Sequence, residues 1–138
     1  MKKIGTLIIM ICLLISCNEN NNNIDLENES VIINKTLYNE TITENYTITE
    51  ATINDNFLTI KISSSGCDGN SWKAVLIDAK EILESYPIQR NIKLSLENNE
   101  ACLAVFEQEF MFDISILKEN YSEINLNLEG WNAQLNYN

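Results

Sequence analysis

Apolar residues recur at every second position through most of the chain after Leu37, and no other feature restricts the possible folds as much. Leu58, Ile60 and Ile62 share one side of Phe57-Leu58-Thr59-Ile60-Lys61-Ile62-Ser63. Arg90, Ile92, Leu94 and Leu96 keep the same step, as do Phe110, Phe112, Ile114 and Ile116, and then Ile124, Leu126 and Leu128. Successive strand side chains point to opposite faces, so each segment reads as a strand with one buried face.

The other segments are placed around these. Thr41-Ile42-Thr43 and Thr47-Ile48-Thr49 are near-repeats whose β-branched alternation predicts one or two strands; two copies cannot make a solenoid. Trp72 to Asp78 predicts a strand. Ala79 to Glu84 holds good helix formers, but six residues are too few to stand alone, so a helical turn or loop closed by Tyr86-Pro87 is expected. Ile88 to Leu96, Ala101 to Phe106, Glu109 to Ile116, Ile124 to Leu128 and Ala133 to Tyr137 follow as strands, with turns at Asn98-Asn99 and at Glu129-Gly130-Trp131-Asn132. Short strands with frequent turn signals predict an all-β domain over residues 35–138. An antiparallel, immunoglobulin-like β-sandwich is the expectation and a small β-barrel the alternative.

The N-terminus reads as a lipoprotein signal over residues 1–16. Met1-Lys2-Lys3 is a basic n-region, Ile4 to Ile15 is an apolar h-region, and Leu14-Ile15-Ser16-Cys17 is a lipobox. The apolar run is too short and wrongly flanked for a spanning helix. Cys17 is expected to carry acyl chains and to tether the protein to a lipid bilayer. Residues 18–34 are polar, with Asn20-Asn21-Asn22-Asn23, Asp25, Glu27 and Glu29, and read as a disordered linker that places the domain about 20–25 Å from the membrane. The distal triplet Val31-Ile32-Ile33 hints at a starting strand.

Charge and missing residue types narrow the function. The formal net charge is −11, and losing Lys2 and Lys3 with residues 1–16, which hold no acid, takes it to −13. Such a chain repels the phosphate backbone, so no nucleic acid is expected as a partner. It contains no histidine, which removes Ser-His-Asp and Cys-His catalysis. Carboxylates are scattered everywhere and mark no catalytic pair, so no enzyme is expected. Cys12 is lost with the signal and Cys17 takes the lipid, leaving Cys67 and Cys102 as an even pair that predicts a disulfide.

Between strands, Ser65-Gly66-Cys67-Asp68-Gly69-Asn70-Ser71 is a tight loop that the disulfide would hold. Asp68, Asn70 and Ser71 make it the candidate binding loop, joined by Trp131 if that residue lies exposed beside it. Asp68-Gly69-Asn70 begins like a calcium loop, but Lys73 stands where glycine is required and Ala79 where the closing glutamate is required. Asp68 and Asn70 with a distant carboxylate would be the remaining cation arrangement; a plain pinned loop is simpler, and no metal or other cofactor is expected. Trp72 and Trp131 read first as core fillers and second as a ligand platform. Arg90, the single arginine, reads first as a strand-surface ion pair with a glutamate and second as a carboxylate clamp.

Ser-Gly-Cys-Asp-Gly-Asn-Ser-Trp (65–72), Pro-Ile-Gln-Arg (87–90), Leu-Ser-Leu-Glu-Asn-Asn-Glu-Ala-Cys (94–102), Phe-Asp-Ile-Ser-Ile-Leu (112–117) and Leu-Glu-Gly-Trp (128–131) together resemble small, Flavobacteria-like envelope lipoproteins of Bacteroidota. The resemblance spans Phe57 to Asn138 and implies compartment and domain limits; that family has no assigned activity. Surface display in the phylum goes with an acidic or Lys-acidic run after the lipidated cysteine. Asn18-Glu19-Asn20-Asn21 departs from it, which implies the periplasmic side of the outer membrane. Two functions follow as expectations: a tethered non-enzymatic module binding an envelope protein or glycan, or an inhibitor of a basic hydrolase such as lysozyme, helped by charge steering.

Overall fold

The computed structural model describes residues 30–138; the signal segment, Cys17 and residues 18–29 of the linker lie outside the described residues. The elements are β1 Val31–Ile33, α1 Lys35–Glu40, β2 Thr47–Asn54, β3 Phe57–Gly66, β4 Lys73–Leu83, β5 Ile88–Glu97, β6 Ala104–Asp113, α2 Ser115–Lys118, β7 Ile124–Leu128 and β8 Leu135–Tyr137. They form two sheets, β2-β3-β6 and β1-β4-β5-β7-β8, and no closed barrel. The all-β, sandwich-like expectation holds.

The period of two explains the packing. Leu58, Ile60 and Ile62 of β3, Ile92 and Leu94 of β5, Phe112 of β6, and Ile124 and Leu126 of β7 all lose solvent contact and join one apolar core. Each such side chain contributes about 1.5–3 kcal/mol through burial. Trp72 fills this core, the first of its two readings. The three-stranded sheet is antiparallel, whereas the five-stranded sheet is mixed: β1 pairs parallel with β4, and β5 with β7. The chain between β5 and β7 passes through β6 in the other sheet and through α2, a crossover long enough to bring β7 back in the direction of β5.

Three local expectations are corrected. Thr41-Ile42-Thr43 is no strand, and α1 covers Leu37 just before it. The Asn34 side chain accepts from Leu37 N (3.0 Å) to cap that helix, and the Thr41 N–H and hydroxyl close it on Leu37 O at 3.0 and 2.7 Å. Only the second copy, beginning at Thr47, finds a strand partner, in β3. Ala79 to Glu84 forms no helical turn, because β4 continues through Ala79 to Leu83. Its register shifts between Asp78 and Ile82, with Lys80 at φ +57° and its N–H held by Asp78 Oδ1 at 2.8 Å. A neighbouring strand offers backbone partners that six isolated residues could not supply, and the bulge absorbs the extra length.

The segments 101–106 and 109–116 are likewise one strand, β6, paired with β3 without interruption from Gly66↔Ala104 to Phe57↔Asp113. The alternation ends where Asp113 Oδ1 accepts from Ser115 N (3.0 Å) and turns the chain into α2, so Ile114 is buried but Ile116 is exposed. The hint at Val31-Ile32-Ile33 is realised as β1, which lies before the domain boundary set at residue 35.

Candidate functional site

Cys67 and Cys102 are bonded, with Cα atoms 4.8 Å apart. The bond holds the β3–β4 loop against the chain that leads into β6. Inside the loop, the backbone N–H groups of Cys67, Asp68 and Gly69 all donate to Glu100 Oε2, the last two at 3.2 and 3.1 Å. Three successive N–H groups aimed at one point make an anion-binding nest. Here its anion is part of the same chain. Ser71 Oγ donates to Glu100 Oε1 (2.7 Å), and these donors hold the carboxyl down to about 2, the Ser71 hydroxyl first. Gly69 sits at φ +75°, and an added Cβ there would meet the Gln108 side chain at 2.8 Å. Gly66 lets the Trp72 ring come within 2.9 Å of where a Cβ would be.

This geometry changes the reading of the loop. Asp68 Oδ1 accepts from Asn70 N at 2.9 Å, and Ser71 is committed to Glu100. Of the polar atoms expected to face a ligand, chiefly the Asn70 amide and the second Asp68 oxygen stay outward. Asp68 and Ser71 meet at Glu100, which no sequence pattern singles out, while Asn70 is tied to Asp68. Trp131 is elsewhere, lining a cleft that none of those three residues lines. The single patch of loop and tryptophan does not form, because β7 and β8 carry their hairpin turn over a different part of the sheet.

Arg90 is also not where it was expected. It is 2% exposed and clamps Asp78, itself fully buried, through Nε and Nη2 at 2.9 Å each. Its Nη1 donates to Leu117 O (3.3 Å) and Glu119 Oε1 (3.0 Å). The hydrogen bonds to Asp78 raise the already high Arg90 pKa. The surface-pair reading is corrected: Asp78 shares the inward step of Ala74 and Leu76, Arg90 that of Ile92 and Leu94, and the buried partner is this aspartate, with the part-exposed Glu119 as a second. Every arginine nitrogen is engaged within the protein and the residue is 2% exposed, so this cluster fastens β4, β5 and α2 and presents no open face to a ligand.

The cleft at Trp131 is better suited to a ligand. It has a volume of about 400 Å³ and is lined by Tyr38 of α1, Asn91 of β5, Asn127 of β7, and Trp131, Asn132 and Gln134 of the β7–β8 turn region. The parallel pairing Asn91↔Asn127 sets two amides side by side. Asn127 Nδ2 donates to Asn91 Oδ1 and Gln89 Oε1, and Gln134 Nε2 to Asn127 Oδ1 and Gln89 Oε1, all at 3.0–3.1 Å. At the mouth, Glu129 is held by Lys93 (3.2 Å), the Thr43 hydroxyl (3.3 Å) and the Tyr38 hydroxyl (3.5 Å). Lys93 Nζ lies 4.4 Å from the Tyr38 ring centre. Burial, and then Glu129, raise the Tyr38 pKa.

Trp131 Nε1 has neither solvent contact nor a hydrogen-bond partner. Such a donor costs about 1–3 kcal/mol; Trp72 Nε1 in the core and Asn125 Oδ1 stand in the same condition, so this is a feature of the packing, and what Trp131 offers the cleft is its ring. The trace of this site in the sequence is the placing of amides out of step with the apolar positions: Gln89 and Asn91 between Ile88, Arg90 and Ile92, and Asn127 between Leu126 and Leu128. Among the described residues, no three Cys, Asp or Glu side chains gather as a metal-ligand set.

Over the described residues the chain is thus an all-β, two-sheet protein with one disulfide, an internally filled anion nest, and a cleft of aromatic rings and amides. No protein-family model and no curated protein matches it. Three solved structures share the fold, each with a TM-score of 0.51. One is a protein of unknown function, DUF1344, from Bacteroides vulgatus, 13% identical over 79% of this chain and 54% of its own. Another is a candidate lipoprotein of Bacteroides fragilis, 8% identical over 80% of this chain and 70% of its own. The third is a candidate toxin-related protein of Parabacteroides distasonis, 13% identical over 80% of this chain and 61% of its own. The chain therefore spans less than two thirds of two of the three. At these identities the likeness is one of fold.

Proposed function

We propose that the protein is an envelope lipoprotein, tethered to the bilayer through acylated Cys17, whose β domain is a non-enzymatic binding module engaging its ligand in the Trp131 cleft. The observation that carries the binding reading is the cleft of about 400 Å³ in which the Trp131 and Tyr38 rings stand beside a row of amides with unused donors and acceptors. The lipobox and the polar linker support the tether, and the departure of Asn18-Glu19-Asn20-Asn21 from an acidic run supports the periplasmic face of the outer membrane. A binding rather than catalytic role is supported by the absence of histidine and by Glu129, the one carboxylate lining the cleft among the described residues, whose oxygens already meet Lys93, Thr43 and Tyr38.

The test is recovery of envelope components by full-length wild type and by Trp131→Ala, both purified from envelopes. A component held by wild type and reduced about tenfold or more with Trp131→Ala is expected. Equal recovery by both overturns the cleft as the binding site. Capture of a basic hydrolase such as lysozyme, released by salt and indifferent to Trp131, would replace this reading with inhibition.

A further inference from the structure

We infer that the Trp131 cleft takes a neutral saccharide; this rests on the cleft being the binding site and adds the chemical class of its ligand. Charge comes first. Lys93, the cation at the mouth, is spent on Glu129 at 3.2 Å and on the Tyr38 ring at 4.4 Å, so nothing there neutralises an anion. The chain's net charge of −11 also repels one. Glu129 in turn is occupied by Lys93, Thr43 and Tyr38, so it does not call for a cationic ligand.

The polar groups select further. A side-chain amide offers both donors and an acceptor, as a hydroxyl does. The amide row uses only part of its capacity internally. Asn127 and Gln134 donate along it, while Asn91 Nδ2, Gln134 Oε1 and the whole Asn132 amide have no protein partner among the described residues. A molecule whose edge alternates donors and acceptors without charge would meet these groups. The Trp131 and Tyr38 rings supply apolar surface for the C–H face of such a molecule. A sugar ring has both faces of this chemistry. The volume of about 400 Å³ lies within the range of small-ligand sites. An uncharged peptide would share the polarity but would anchor through apolar side chains, for which this amide-lined cleft offers no pocket.

The experiment uses the full-length, 15N-labelled protein purified from envelopes in a sugar-free detergent. Probes are maltotriose, cellotriose, mannotriose, triacetylchitotriose and the neutral polysaccharide fraction of the envelope, with trigalacturonate and an uncharged Gly/Ser pentapeptide as contrasts. At least one neutral saccharide is expected to move the Trp131 indole N–H and the Asn91 and Asn127 side-chain amide signals, leaving the core indole of Trp72 in place. Gln134→Ala, at an exposed position that leaves the fold undisturbed, should weaken that binding about tenfold. Trp131→Phe should retain part of the affinity that Trp131→Ala loses. Shifts from trigalacturonate or the peptide alone, or from none of the probes, overturn the inference. If the saccharides fail while an envelope component still depends on Trp131, the ligand class falls and the binding site stands. If that dependence is also missing, both fall.

Discussion

Removing Arg90 should be among the most destructive single changes available in this domain. In Arg90→Met, Asp78 would stay fully buried with its two arginine bonds of 2.9 Å gone and only the Lys80 N–H, at 2.8 Å, left to it. Breaking a buried pair from one side costs about 3–5 kcal/mol, because the remaining charge is uncompensated. Against a total stability of about 5–15 kcal/mol, that is a large fraction. Asp78→Leu should cost less, since Arg90 keeps Glu119 and Leu117 O as acceptors. The double variant Asp78→Leu/Arg90→Met should lose far less than the sum of the singles, because no charge of the pair is then left in the core. Urea titrations followed by far-ultraviolet circular dichroism measure all four proteins, with an unchanged slope confirming that stability alone has moved. The penalty should also hardly vary with salt, since buried pairs are poorly screened. An Arg90→Met penalty below about 1 kcal/mol, or strict additivity in the double variant, would refute the reasoning.

Other outcomes follow from the loop and the anchor. Glu100 is depressed from 4.5 to about 2, so its contribution is complete above pH 4.5 and is lost as pH falls toward 2; the difference in melting temperature between wild type and Glu100→Gln should shrink across that interval. Cys102→Ser opens a loop with a sequence separation of 35, for which chain entropy gives about 3–4 kcal/mol, and should lower the melting temperature by roughly ten degrees or more. Gly69→Val must adopt φ +75° and displace Gln108, so thermal unfolding should show a loss of about 1–3 kcal/mol. Cys17→Ala should abolish acylation and membrane partitioning, and an unmodified mature N-terminus in wild type, seen by mass spectrometry, would count against the anchor.

The fold was legible where one face of a strand meets the core. Leu58-Ile60-Ile62 and Ile124-Leu126-Leu128 alternate because the sheet alternates, and both segments are strands over the expected residues. Legibility failed where a local choice depends on a distant partner. Thr41-Ile42-Thr43 and Thr47-Ile48-Thr49 carry the same pattern, but only the second has β3 beside it. Ala79 to Glu84 favours helix in isolation, yet β5 supplies hydrogen-bond partners that short-range propensity cannot foresee. The mixed sheet was hidden for the same reason: parallel pairing of β5 with β7 leaves no mark on either strand alone.

The candidate site was hidden by that same pairing, and this bears on how it arose in the fold. Asn91 and Asn127 stand 36 residues apart, and each reads as an unremarked outward polar position until the parallel register sets them side by side. The disulfide loop was more conspicuous, since cysteine, glycine and aspartate advertise an unusual backbone. Its backbone donors, however, turn inward to Glu100, so its distinctive composition is explained by its own closure. Conspicuous residues thus fasten the scaffold: the disulfide, the nest and the Arg90–Asp78 clamp each satisfy themselves. Ordinary amides on the outer face of a sheet, joined by the rings of Trp131 and Tyr38, are what the domain leaves open. A binding surface built this way can change its amides without disturbing the core, because their side chains lie on the face opposite Ile92, Leu126 and Leu128. Substitutions at Asn91, Asn132 or Gln134 should therefore alter binding while leaving the unfolding free energy within about 0.5 kcal/mol of wild type. A loss of several kcal/mol at Asn132 or Gln134 would place these residues with the scaffold instead.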